Sequence, residues 1–348
     1  VADVLSRPAP ARPADAPASG PLPTVAARRR YTVVVVVLAA MALGFGFGLL
    51  AWANPMPVGS LGFWRIAELR ATNLVTMGVV ALCQAVATVS FQTVTTNRIL
   101  TPSIMGFEAL YAAIQTTAVY VLGVTGIIAL QGLPQFVLQV VVMVAFSALL
   151  YGWLLTGRFG NLQIMLLIGI ILGGGLRSVS SFMQRLLTPS EFDVLTARLF
   201  GNVSNADPQY LLVGVPVALV VSGVLYLRSH RLNVLALGRE TSLNLGVNHR
   251  RELITVLVLV SILMAISTAL VGPLTFLGFL VATLSYQLAD TYDHRLIFPV
   301  AALTGFVVLS GAYFVMNHVF RAEGVVSVII ELVGGTVFLF VIVRKGRL

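Results

Sequence analysis

Reactive side chains are scarce in this chain of 348 residues, which carries four histidines, one cysteine and one lysine. His230, His249, His294 and His318 are scattered, with no H-E-x-x-H pair and no closely spaced Cys/His set to hold a metal. Cys83 lies in an apolar run, where a thiol is a small packing residue. Lys345 sits in "VRKGRL" at the C-terminal end, so there is no G-x-x-x-x-G-K-[ST] loop to cradle nucleotide phosphates. A G-x-S-x-G nucleophile elbow is missing too. These absences exclude a self-contained ATPase and leave an intramembrane protease without a nucleophile–base pair. Anything this chain moves uphill draws its energy from a partner or an ion gradient.

What remains are charges set into apolar sequence. Arg177 lies in "ILGGGLRSVSS", and a charge at that depth costs about 2.5–3.5 kcal/mol on insertion scales. It must face a cavity, a partner or the interface. Two readings stand: a cationic wall on a cavity beside Gly173, Gly174 and Gly175, or a side chain snorkelling to the outer surface. These glycines, with Gly169, let another backbone approach closely. Glu108 and Glu331 are also embedded or nearly so, and structural hydrogen bonding suits them better than a proton relay.

The elements that position these residues follow from composition. With 58% hydrophobic and 10% charged residues and a mean hydropathy of +0.95, the chain is far from a soluble domain, about 25% charged. A spanning helix takes about 20 apolar residues, which predicts an all-α polytopic membrane protein of about ten spans. Residues 1–30, rich in proline and alanine, read as a disordered tail, and residues 31–348 as the transmembrane domain. Spans are predicted over 31–53, 71–97, 161–185, 209–227, 296–318 and 325–343. The 49 uncharged residues between Glu108 and Arg158 would make a helix of about 73 Å at 1.5 Å per residue. That far exceeds a hydrocarbon core of about 30 Å, so the stretch folds back at Gly123, Gly132 and Pro134. The run Leu253–Ala289 divides likewise at Gly272-Pro273, leaving one short leg.

Ten spans put both termini on one side. With that side cytoplasmic, 16 basic residues lie inside and 5 outside, the asymmetry that sets orientation. The net charge of +9 therefore reflects topology and membrane lipid rather than nucleic acid.

The connection "ALGRETSLNLGV" at 236–247 is polar and long enough for two or three helical turns. Leu237, Thr241 and Leu245 recur at i, i+4 and i+8, and Gly246 can end the helix in the left-handed conformation. Such a segment is either a surface helix held by lipid headgroups or a docking helix for a cytoplasmic partner.

Segment 236–247 resembles the "A-L-G-x-x-x-A-x-x-L-G-V" loop of the FecCD-type permease subunits of ABC importers for iron–siderophores, haem and cobalamin. "NRILTPSIMGFEALYA" at 97–112, "GPLTFLGFLVATLSYQL" at 272–288 and "IIELVGGTVFLFVIVRK" at 329–345 are similar to three further family segments. Arg98 stands where the family usually has proline, and "VATLSY" where many members have Pro-His. With "SSFMQRLLTPSEFDVL" at 180–195, these departures look like the catecholate or petrobactin/anguibactin-like branch. The resemblance implies a type II importer permease without catalysis or cofactor of its own, in a bacterial cytoplasmic membrane. Its partners would be a second permease, two cytoplasmic ATPases that bind the ATP, and an extracytoplasmic substrate-binding lipoprotein. Ala236, Leu237, Gly238, Arg239, Glu240, Thr241, Leu245, Gly246 and Val247 would couple to the ATPase, Arg70, Arg65 and Arg321 would dock the binding protein, and Arg177 with Gly173, Gly174 and Gly175 would line the translocation path. A haem or cobalamin permease, and an ion-coupled secondary transporter using Glu108 and Glu331, are the alternatives.

Overall fold

A computed structural model describes residues 20–52, 56–129, 131–156, 162–201, 203, 207–318 and 326–345. These residues form no strand, a short 3₁₀ helix at Pro102–Met105 and thirteen α-helices. In chain order they are α1 (Val25–Ala51), α2 (Leu61–Val94), α3 (Phe107–Ala129), α4 (Leu133–Thr156), α5 (Leu162–Gln184), α6 (Pro189–Leu199), α7 (Pro208–Leu227), α8 (Ser229–Leu235), α9 (Arg239–Asn244), α10 (His249–Val271), α11 (Leu277–Ala289), α12 (His294–His318) and α13 (Val326–Lys345). Eight are long and apolar enough to cross a membrane, and α11 and α13 carry shorter apolar segments. Ten apolar helices thus answer to the ten expected spans.

Several boundaries differ from expectation. Helix α1 starts at Val25, where the Thr24 hydroxyl accepts from the Ala27 N–H, so the last six residues of the expected tail are helical. An N-cap of this kind satisfies a donor the first turn leaves open, and hydropathy does not register it. Residues 1–19, the bulk of the expected tail, lie outside the described residues. Helix α2 starts at Leu61, capped by Ser60, and runs for 34 residues. At 1.5 Å per residue that is about 51 Å, so the amphipathic turns around Trp64 and Arg65 extend the span past the hydrocarbon. Helix α6 was not anticipated. Its start is marked by Thr188-Pro189, with the Glu191 carboxylate accepting from the Thr188 N–H at 2.9 Å, half of a capping box.

The breaks fall where glycine permits positive φ. Gly123 (φ 63°, ψ −179°) kinks α3, and Gly132 (φ 115°) turns the chain into α4. Gly272 (φ 84°) separates α10 from the 13-residue α11.

Helices α2, α10 and α12 form the centre, with 78%, 67% and 56% of their most apolar windows buried. Small residues let them approach: a Cβ on Gly305 of α12 would lie 3.2 Å from the Ala81 carbonyl of α2. Around them, α1, α3, α4, α5 and α7 bury no more than 28% of theirs, and their outward apolar faces suit lipid or another subunit.

Candidate functional site

Segment 236–247 is presented at one end of the bundle by α8. Leu232 and Leu235 of α8 are fully buried, and this helix packs on α2 and α12. Gly238 then takes φ 91° and ψ 173°, a region open in practice to glycine alone, and turns the chain into α9. The Schellman pattern closes α9: the Val247 N–H donates to the Ser242 carbonyl (2.9 Å) and the Gly246 N–H, at φ 77°, to that of Leu243 (3.0 Å). The expected helix of two or three turns is therefore a six-residue helix between two positive-φ glycines. Leu237 precedes it and Leu245 caps it.

Ser242 is the buried residue of α9, its hydroxyl within reach of the carbonyls of Val234 (3.1 Å) and Gly238 (2.6 Å). Ala236, Arg239, Glu240, Thr241 and Gly246 are exposed and Val247 is half-buried. Leu237, Leu243 and Leu245 are 59%, 51% and 58% exposed. Three leucines on a short segment flanked by charge form an open apolar surface rather than a face packed on the bundle.

The base of this segment is held by polar contacts that the sequence does not announce. Glu252, in the first turn of α10, is buried and accepts from Arg228 (2.7 Å) and from Arg231, on either side of the α8 start. On α8, Asn233 Nδ2 donates to Asp293 Oδ1 (3.0 Å), and Asn233 Oδ1 accepts from the His294 backbone N–H (3.1 Å). The His294 ring joins Asn233 Oδ1 through Nδ1 (2.5 Å) and the Thr93 hydroxyl of α2 through Nε2 (2.6 Å). Asp293 also caps α12, accepting from the Arg295 N–H. Burial pushes its carboxyl up, but hydrogen bonds from Asn233 and Arg295 outweigh that and hold it below the usual carboxylate range. No periodic signal marks these residues; only the N-cap character of Asp293 is local.

The embedded charges meet in a second place. Glu108 of α3, Arg177 of α5 and Glu331 of α13 line one cavity of about 210 Å³ with Thr275 and Ser327. Glu108 is 8% exposed; one carboxylate oxygen accepts from Thr275 (2.7 Å) and the other has no hydrogen-bond partner among the described residues. Arg177 and Glu331 are exposed along the bundle flank.

The glycines beside Arg177 divide by role. Gly173 and Gly169 lie against the chain's own Met105-Gly106 turn, where a Cβ on Gly173 would sit 3.1 Å from Gly106 Cα. Gly174 and Gly175 face open space. Arg70 lies on the carbonyls that end α1, donating to Leu50 (3.3 Å) and Trp52 (2.8 Å). Arg65 is exposed, and Arg321 lies outside the described residues. Among the described residues no group of three or more His, Cys, Asp or Glu gathers as a metal site.

Comparison with known proteins agrees with this architecture. The family model described as the FecCD transport family matches residues 32–344. The chain is 54% identical over 300 residues to the petrobactin import system permease protein FatC of Bacillus anthracis, covering 86% of this chain and 85% of FatC. It is 35% identical over 263 residues to the petrobactin import system permease protein YclO of Bacillus subtilis, covering 76% and 84%. In fold it is similar, with a TM-score of 0.77 at 22% identity, to a solved structure described as an inward-facing conformation of a metal-chelate type ABC transporter, over 90% of this chain and 99% of that one. A family match that runs from α1 to α13 leaves no apolar helix outside it, and the chain belongs to the FecCD transport family, as a multi-pass membrane protein with the fold of a type II ABC importer permease.

Proposed function

We propose that this chain is the permease subunit of an ABC importer for a ferric siderophore, acting without catalysis or cofactor of its own. One observation carries the proposal: the 236–247 lever is rigidly based on α8, yet turns three leucines outward. A rigid short helix transmits displacement, whereas a flexible loop absorbs it. Two cytoplasmic ATPases, which bind the ATP, would seat on this surface, with both termini of the chain on the same side. A second permease would complete the pathway against the flank carrying Arg177, Gly174 and Gly175. The 54% identity to a petrobactin permease supports a siderophore as cargo over haem or cobalamin.

Arg177 supplies positive charge to a path for anionic ferric chelates. At the other end of the bundle, Arg65 and Arg70 would meet carboxylates of an extracytoplasmic binding lipoprotein, and Arg321 is assigned the same role from the sequence alone. Arg70 does so while bracing α1.

The test is capture of a P-loop ATPase by the purified permease. The wild-type chain retains it, and deletion of 236–247 abolishes retention at unchanged membrane abundance. Chelate uptake that persists without any ATPase but collapses with the proton gradient would instead identify a secondary transporter. For the path, Arg177→Ala lowers ferric-chelate uptake about tenfold at normal abundance, and undiminished uptake would remove Arg177 from it.

A further inference from the structure

Movement of an exposed lever becomes movement of spans only if something directional joins the two. Helix α8 is attached to the bundle in two ways. Leu232 and Leu235 are buried, and apolar burial is non-directional; it holds α8 on the surface but allows it to slide and roll. Hydrogen bonds weaken steeply as their angle departs from linear, so they resist that motion. From α8, Asn233 is bonded to the start of α12 at Asp293 and His294, and the His294 ring continues to Thr93 in the last turn of α2.

The protonation pattern along this chain of contacts is set by its fixed members. The backbone N–H of His294 can only donate, so the atom of Asn233 facing it is the carbonyl oxygen, and the amide NH2 is turned to Asp293. The same oxygen receives the ring Nδ1–H. A neutral ring then leaves Nε2 as an acceptor, so the single Thr93 hydroxyl proton is shared between Nε2 and the Val89 carbonyl, to which it donates at 2.8 Å. Every link is short, and His294 and Thr93 are buried, at 3% and 7% exposure.

We propose that Asn233, His294 and Thr93 are positioning residues that gear the lever to α12 and α2, so that displacement of α9 rotates these core helices instead of being lost as sliding of α8. The inference rests on the ABC-importer reading for its motor, but the linkage itself can be examined without one.

The decisive variants are Asn233→Ala, which cuts α8 from α12, and Thr93→Val, which removes the hydroxyl at constant shape; Thr93→Ser restores it. In proteoliposomes containing the permease with its ATPase, radiolabelled ferric catecholate uptake and ATP hydrolysis are measured together. Asn233→Ala and Thr93→Val are expected to keep ATPase binding and hydrolysis within twofold of wild type while chelate delivered per ATP falls at least fivefold. Thr93→Ser is expected to match wild type. A merely structural role would lower hydrolysis and uptake in step, and that result, or an unchanged ratio, overturns the proposal. The purified chain alone in nanodiscs provides the second measurement. Asn233→Ala should speed amide hydrogen exchange severalfold at residues 92–96, which the His294 ring joins to the mutated side chain; unchanged exchange there refutes the linkage. If wild-type uptake needs no ATPase, the importer reading falls, and the exchange measurement still decides the linkage.

Discussion

Gly238 and Gly246 offer a backbone perturbation with no packing component. Both have positive φ, and a Cβ at either would meet nothing within 4 Å, so alanine there strains only its own peptide units. At Gly238 (φ 91°, ψ 173°) a side chain costs about 1–3 kcal/mol, and at Gly246 a left-handed alanine costs about 1–2 kcal/mol. A six-residue helix cannot resist this by itself, since isolated helices shorter than about 12–15 residues are marginal. The strain is therefore expressed as loss of the lever conformation. At about 1.4 kcal/mol per decade, the equilibrium constant for forming the lever falls about 5- to 150-fold for Gly238→Ala and about 5- to 30-fold for Gly246→Ala, and apparent ATPase affinity falls by up to the same factor. Titration of fluorescent ATPase against permease in nanodiscs measures it. Gly246→Asn, a residue that tolerates the left-handed region, should recover most of the affinity. Gly223→Ala, in open space on α7, should leave it unchanged. Wild-type affinity in both lever alanine variants would refute the view that the ATPase reads a preformed lever.

Three further outcomes concern stability. Gly278→Ala would place its Cβ 2.3 Å from Thr88 Oγ1 on α2; overpacking of this kind typically costs about 1–3 kcal/mol. The melting temperature in detergent should drop and recover in Gly278→Ala/Thr88→Ala. Glu252→Gln removes the buried charge between Arg228 and Arg231, whose side chains are 31% and 57% exposed. Loss of one partner of a fully buried pair costs about 3–5 kcal/mol, but solvent screening of these arginines reduces this to about 1–2 kcal/mol; an unshifted thermal melt would contradict it. Asp293 has a carboxyl held below its unfolded value of about 3.9, so its stabilising share is fully present above that pH and is lost as pH falls through the lower folded value. The acid limb of the melting profile should flatten in Asp293→Asn, whereas an unchanged limb would show that this carboxyl contributes nothing.

Much of the framework can be read directly from residue types. The short leg after Gly272-Pro273 is the 13-residue α11, and the fold-back at Gly123 and Gly132 is real in both backbone angles. Both follow from local rules: peptide groups in lipid must bond within their own helix, and only glycine supplies positive φ cheaply. The extra turns of α2, the capped start of α1 and helix α6 escaped because they are amphipathic or polar, and hydropathy registers only what crosses. The 236–247 segment is legible in the sequence, but the single helical face expected from Leu237, Thr241 and Leu245 does not form, because Gly238 detaches Leu237 from α9.

From the amino-acid order alone came the solvent, the count of apolar helices and the exposed connection between the sixth and seventh of them, since each depends on neighbours a few residues apart. Tertiary structure decided which charges share a cavity, which glycine of "GGG" touches backbone, that Arg70 braces α1, and that Asn233 reaches His294 and Thr93. Those last contacts join residues 61 and 201 positions apart. No period of 3.6 carries information over such distances; only the packing of α8 on α2 and α12 brings these groups within a hydrogen bond of one another.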